Sequence, residues 1–146
     1  MHKKNDIVRL IKILNISIEK RVNNDFKKMN LTMQQIKILL YLKEREKNTV
    51  EITTQKDIQN LLGVTHPTTI SIIKSLEQKK FITSKHSEID RRLKTLHLTE
   101  NAYEMTQSIV KGKINFDNDL LRGIEKNELN ACIKCLNKMY ENINKS

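Results

Sequence analysis

The stretch Thr54–Lys80, TQKDIQNLLGVTHPTTISIIKSLEQKK, decides the fold. Thr54 followed by Asp57 has the spacing of a helix N-cap pair, in which a hydroxyl accepts from a backbone N–H and a carboxylate reaches back. Ile58, Leu61 and Leu62 line one face of a short helix over 55–62, and Gly63 supplies its left-handed stop. Thr65 caps a second helix. Pro67 falls in that helix's first turn, where its missing N–H does no harm. This second helix is expected to run over 66–80 with Ile70, Ile73 and Leu76 toward the core. With side chains spaced about 100° apart around the axis, the opposite side carries Thr68, Ser71, Ile72 and Ser75. Thr69 is grouped with that side, and Lys74 and Lys79 stand at its edges.

Two strand-like segments follow, Phe81–Lys85 and Lys94–Leu98, around a polar tip at 86–92. A short helix, a glycine turn, a second helix and a basic hairpin together read as a winged helix-turn-helix, with the second helix presented to the DNA major groove. Thr68, Thr69, Ser71, Ile72, Lys74 and Ser75 are the candidate DNA contacts of that helix. Small hydroxyls allow close approach to bases or phosphates, and Ile72 suits a thymine methyl. No Arg or Asn on this face offers a bidentate base contact, so direct readout is expected to be modest. On the hairpin the candidates are Arg91, Arg92 and Lys94. Asp90 stands two residues before Arg92 and can orient it. An Arg on a protruding hairpin suits a narrow minor groove, where the potential is most negative.

Upstream, Ile7, Leu10, Ile11, Leu14, Ile18, Val22 and Phe26 have helical spacing over 5–28. Val8, Ile13 and Ile16 make a second apolar face, as in a helix that packs against a partner. Thr32 and Gln35 form a capping box, with Leu31 and Ile36 as its hydrophobic staple, ahead of a helix to about Arg45. Alternation over Thr49–Thr53 reads as a short strand. Downstream, Thr99 caps a helix to about Arg122. A last helix after Gly123 carries Leu129, Cys132, Ile133, Leu136, Met139, Tyr140 and Ile143 in an i, i+3, i+4, i+7 stripe. The stripes at the two chain ends are too apolar for one small domain to cover. A dimer interface is therefore expected from Ile7, Ile11 and Leu14 together with Leu129, Ile133, Leu136 and Tyr140. Cys132 and Cys135 fall within the last stripe and read as small core groups rather than a redox pair.

Composition narrows the function classes. The 146 residues suffice for one domain with an oligomerisation extension. Three Gly and one Pro argue against collagenous and turn-dense all-β chains. The net charge of +10 suits a polyanion partner. Most of that excess lies in residues 1–49, with 12 basic and 5 acidic side chains, rather than in the expected reading helix. No long apolar span or signal-peptide pattern occurs, so a cytoplasmic protein without a membrane partner is expected. No metal or other cofactor is expected. His2, His66, His86 and His97 share no ligand spacing, and the Cys pair has no second pair. No phosphate-cradling glycine loop or triad supports an enzyme.

The sequence resembles the MarR family of bacterial winged-helix regulators over roughly residues 7–143. The resemblance rests on Leu31-Thr32 through Leu42, on Leu61-Leu62-Gly63-Val64 running to Pro67, and on Leu76-Glu77. The most specific part is Asp90-Arg91-Arg92-Leu93-Lys94 leading into Leu96-His97-Leu98-Thr99-Glu100, and Glu128-Leu129 opens the last helix. The resemblance implies that Asp90 and Arg92 are the family's Asp-x-Arg pair, with Arg92 in the minor groove. It also implies that the first helix and the last two build an obligate homodimer on a pseudo-palindromic site. It implies, further, release by a small hydrophobic or aromatic effector, in a cleft lined from 7–28, 33–42 and 100–116. The effector-pocket residues are not assigned; Phe26, Met33 and Tyr41 are read as packing. The sequence departs from the family pattern at Lys80 and Ala102, where glycine is usual, and in a last helix that starts near Glu125 without a Ser or Thr cap.

The expected fold is mainly α with a small β wing, one MarR-like domain over 1–146. Residues 32–99 form the winged helix-turn-helix, and 5–28 with 100–144 form the helical dimerisation part. The expected function is a homodimeric, sequence-specific transcriptional regulator of double-stranded DNA, a repressor rather than an activator. The alternative is a winged-helix protein–protein module, which would show no salt-dependent duplex binding.

Overall fold

The computed structural model describes residues 6–48 and 52–145. Two compact units divide the chain between Ile109 and Val110. The first opens with α1 (Ile7–Lys28), whose first backbone N–H groups donate to the Asp6 carboxylate. Only the C-terminal end of α1 joins the core, through Phe26, while Ile7, Val8, Leu10, Ile11, Ile13, Leu14 and Ile16 stay exposed.

Helix α2 (Met33–Lys47) starts at the expected capping box. Gln35 N–H donates to Thr32 Oγ1 at 3.2 Å, and Thr32 N–H donates to Gln35 Oε1 at 3.1 Å. The staple residues Leu31 and Ile36 are both buried, as are Ile38, Leu39 and Leu42. A second capping box, Thr54 with Asp57, opens α3 (Gln55–Leu62), and Gly63 ends it at φ +63°. Helix α4 (His66–Gln78) follows from the Thr65 cap.

Strands β1 (Thr53–Thr54), β2 (Ile82–His86) and β3 (Lys94–Leu98) form an antiparallel sheet in the order β1-β3-β2. The hairpin register pairs Ile82 with Leu98 and His86 with Lys94. The strand expected over Thr49–Thr53 lies partly outside the described residues. Of its described residues, Ile52 is outside any strand and Thr53 begins β1, which pairs Thr53 with Leu96 and Thr54 with Thr95. Ile58, Ile73, Leu76, Ile82, Leu96 and Ala102 complete the core of this unit.

Glu46, near the end of α2, was not anticipated as an anchor. Its carboxylate accepts from the Leu98 N–H at 3.0 Å and from the Tyr103 hydroxyl at the start of α5 (Glu100–Leu120). That hydrogen bond to a carboxylate, then burial and the nearby negative charge, raise the Tyr103 pKa above the ordinary phenol value.

The second unit contains the end of α5, the turn at Gly123 with φ +78°, and α6 (Lys126–Asn144). Glu125 N–H donates to Glu128 Oε2 at 3.0 Å, so α6 does start without a Ser or Thr cap. No described residue of α6 is buried; Ile133, Leu136, Tyr140 and Ile143 are exposed and Leu129 is half-buried. Cys132 and Cys135 are exposed too, which corrects their reading as core groups. The apolar stripe they belong to carries no buried residue among the described residues.

Helix α4 stops two residues before the expected Lys80. There the chain turns left-handed, with Lys80 at φ 62°, and Phe81 N–H closes back on Leu76 O at 3.0 Å. Thr99 Oγ1 donates to Lys80 O at 2.6 Å and fixes the same turn from the other side. A Cβ in this conformation crowds its own carbonyl, at a cost of about 1 kcal/mol relative to glycine. Lys80→Gly is therefore expected to raise the unfolding free energy by about 1 kcal/mol, read from chemical denaturation, with an unchanged helix signal. A destabilised Lys80→Gly protein would show that the lysine side chain, not the backbone, decides this turn.

Candidate nucleic-acid interface

Helix α4 buries Thr69, Ile73 and Leu76. The buried side of the helix is thus rotated from the expected one. Ile70 is only half-buried, and Thr69 takes its place in the core. Thr69 tolerates full burial because its Oγ1 donates to Thr65 O at 3.0 Å, leaving its methyl to pack. Thr69 is therefore withdrawn from the candidate DNA contacts. Ile72 is half-buried against the core and offers DNA little surface.

The outward side carries Pro67, Ser71, Lys74 and Gln78 in one stripe, flanked by Ile70 and Ser75, and these six line an open groove. Thr68, Ser71 and Lys74 are exposed, as expected. The Thr68 hydroxyl is tied locally, accepting from Thr65 Oγ1 at 2.9 Å. Ser75 is half-buried and accepts from Gln35 Nε2 at 2.9 Å. Pro67, Ile70 and Gln78 were missed as groove residues. Assigning Thr69 rather than Ile70 to the core would have found them: on the helical period Pro67 and Gln78 then fall opposite Thr69 and Leu76, with Ile70 at the edge of that face.

The wing tip is an ordered turn. Ser87 N–H donates to Leu93 O at 2.9 Å, and Leu93 N–H donates to Asp90 O at 3.0 Å. Ser87 Oγ accepts from the Ile89 and Asp90 N–H groups. Asp90 receives Arg92 in three ways. The backbone N–H and Nε reach Oδ1 at 3.1 and 3.0 Å, and Nη2 reaches Oδ2 at 3.1 Å. The guanidinium is thereby clamped while its side chain remains 90% exposed. Arg91 and Lys94 are also exposed. Arg91 O faces His86 Nδ1 at 2.9 Å; a carbonyl can only accept, so Nδ1 carries the proton. Of the candidate contacts outside α4, all three therefore sit on or beside one rigid tip.

These elements match a known group. The family model described as the MarR family matches residues 31–94. Over those residues the chain is similar to the MarR family. Family members are transcriptional regulators and not enzymes. YfiV of Bacillus subtilis, described as an uncharacterised HTH-type transcriptional regulator, is 29% identical over 125 residues, 84% of this chain and 75% of the relative. The MarR-type fold extends beyond the matched residues. A mutant of S. aureus MepR superimposes with a TM-score of 0.83 over 94% of this chain and 98% of the other, at 21% identity. S. aureus MepR in complex with DNA superimposes at 0.77 over 93% and 98%, and MepR bound to ethidium bromide at 0.71 over 94% and 96%, both at 21% identity. Among the described residues no helix is long and apolar enough to cross a membrane, and no group of three His, Cys, Asp or Glu side chains could hold a metal.

The clamp has a direct signature. Hydrogen bonds from the Arg92 side chain, then from its backbone, hold the Asp90 carboxyl below the ordinary aspartate value. Because the folded pKa is depressed, the pairing is complete above the unfolded value and is lost as pH falls through the folded one. It is constant at neutral pH. NMR titration of the protein should place Asp90 below an ordinary exposed aspartate, and Arg92→Ala should return it to that range. An Asp90 that titrates identically in both proteins would show that the clamp does not form in solution.

Proposed function

We propose that this protein is a sequence-specific, double-stranded-DNA-binding transcriptional regulator that acts as a homodimeric repressor on a pseudo-palindromic operator. The observation that carries the reading is the clamped, exposed Arg92 on a hydrogen-bonded wing tip of the same compact unit as α4. Contact with a phosphate needs only charge. Entry into a narrow minor groove is favoured by a planar, weakly hydrated cation held in one orientation, and Asp90 supplies that orientation. On α4, Ser71 is the candidate for base edges, with Thr68 beside it, while Lys74 suits a phosphate.

The dimer is proposed from the exposed apolar residues Ile7, Ile11 and Leu14 on α1 and Ile133, Leu136 and Tyr140 on α6, with half-buried Leu129 beside them. Exposed stripes of this extent are the mark of surfaces that another chain covers. A two-fold protein matches a two-fold DNA site, which is the basis for the pseudo-palindrome. Release by a small hydrophobic or aromatic effector is part of the proposal, in keeping with the ethidium held by MepR. Met33, read from sequence as packing, is exposed, whereas Phe26 and Tyr41 are half-buried against the core. A regulator of this kind works in the cytoplasm, where its DNA is.

The test is duplex binding at two salt concentrations, using sites selected from a random DNA pool. Arg92→Ala should lose roughly tenfold or more in affinity, the scale of a lost hydrogen-bonding group with a charge (~1.5–3 kcal/mol). Arg91→Ala should lose much less, and Asp90→Ala should show a weaker form of the Arg92 defect. Melting temperatures should barely move, because exposed ion pairs add only ~0–1 kcal/mol to folding. Parent-like binding by Arg92→Ala at both salts would make the wing a solvated loop.

A further inference from the structure

Gln35 does more than close the capping box of α2. It is almost fully buried, and its side-chain amide lies between the start of α2 and the third turn of α4. Its Oε1 accepts from Thr32 N–H at 3.1 Å and from Lys79 Nζ at 2.9 Å. Both of those partners can only donate, so the amide orientation is fixed with oxygen toward them. Nε2 must then face Ser75 Oγ, at 2.9 Å. An NH2 group can only donate, so the Ser75 hydroxyl is obliged to accept there. Lys79 Nζ also donates to Asn30 O at 2.6 Å, which ties the amide's oxygen side to the turn before α2.

This chain of obligations leaves the Ser75 hydroxyl proton uncommitted. None of the recorded hydrogen bonds among the described residues takes it. Ser75 lines the outward groove of α4 with Ser71, Lys74 and Gln78. We infer that Gln35 is a positioning residue that makes Ser75 a hydrogen-bond donor to a DNA phosphate. The inference rests on the duplex-binding reading above. A phosphate is the acceptor because Ser75 lies late in α4, between Lys74 and Lys79, whereas base edges are read from the N-terminal part of such a helix. The groups facing Gln35 from α4 are the Ser75 hydroxyl and the Lys79 ammonium, and a phosphate approaching Ser75 meets no acidic group in that groove.

The variant that tests this keeps the fold and reverses the hydroxyl. In Gln35→Glu the introduced carboxylate still accepts from Thr32 N–H and Lys79 Nζ, but it can only accept from Ser75. The hydroxyl then turns its proton inward and loses its donor role toward DNA. Affinity for a duplex selected by the parent from a random pool is measured for the parent, Gln35→Glu, Ser75→Ala and the double variant, with a thermal melt for each. Gln35→Glu and Ser75→Ala should each lose about tenfold, the scale of one hydrogen bond to a charged group. The loss should be equal across duplex sequences, and the melting temperature of Gln35→Glu should hold or rise. The double variant should bind like Ser75→Ala alone, because both changes remove the same donor.

Additive losses would show that the new carboxylate simply repels DNA, which overturns the inference. A loss confined to particular base pairs would place Ser75 on a base edge and overturn the phosphate assignment. If Gln35→Glu fails to fold, Ser75→Ala decides alone, and parent-like binding by it overturns the inference. A parent that selects and binds no duplex overturns the underlying reading and this inference with it, whereas a binding parent with an additive cycle overturns the inference only.

Discussion

The rotation of α4 about its own axis is the constraint on which the candidate interface depends. Ile73 and Leu76 are buried in the same cluster as Ile38, Leu39, Leu42 and Ile58, and Thr69 of the same helix is fully buried too. Once three positions of a helix are fixed in a close-packed core, the helical period leaves no freedom in what faces outward. Truncating a residue such as Leu76 would cost about 2–5 kcal/mol, so this rotation is held far more firmly than any surface contact could hold it. Pro67, Ser71, Lys74 and Gln78 therefore face outward as a consequence of packing on the opposite side.

The wing is held differently. Its tip buries almost nothing, and Ile89 is 92% exposed. Order there comes from local hydrogen bonds: the Ser87 hydroxyl under two backbone N–H groups, the closure between Ser87 and Leu93, and the Asp90 clamp on Arg92. Such a turn contributes little to global stability, but it removes rotamers from a long side chain before any partner arrives. Less entropy is then lost on binding. The two halves of the interface thus draw on separate sources of rigidity, one on core burial and one on a short polar network.

What was legible in the sequence was local. Thr32 with Gln35, Thr54 with Asp57, Gly63, and Thr65 with Pro67 each specify a structure within a few residues, and each forms as read; Lys94–Leu98 forms its strand, but neighbouring Thr95 and Leu96 are both buried. The left-handed turn at Lys80 was expected only through the family pattern, and Lys80 adopts it at φ 62° despite its side chain. Hydrophobic rank misled at two places. Ile70 outranks Thr69 as a core residue, yet a threonine whose hydroxyl is satisfied by its own helix packs as well as a valine would. Cys132 and Cys135 look like core residues by their spacing, yet they are exposed on a helix with no buried residue among those described. The links from Gln35 to Ser75 and from Glu46 to Leu98 join positions far apart in sequence, and no local pattern announces them.

The central claim is that the outward stripe of α4 and the clamped wing tip together meet duplex DNA. Amide hydrogen exchange, followed by mass spectrometry with and without a selected duplex, tests it most directly. The account predicts slower exchange on DNA addition over His66–Gln78 and over the tip at 87–93, with α3 less affected. Slowing confined to α1 and α6, or no change anywhere under conditions where the duplex is bound, would contradict it.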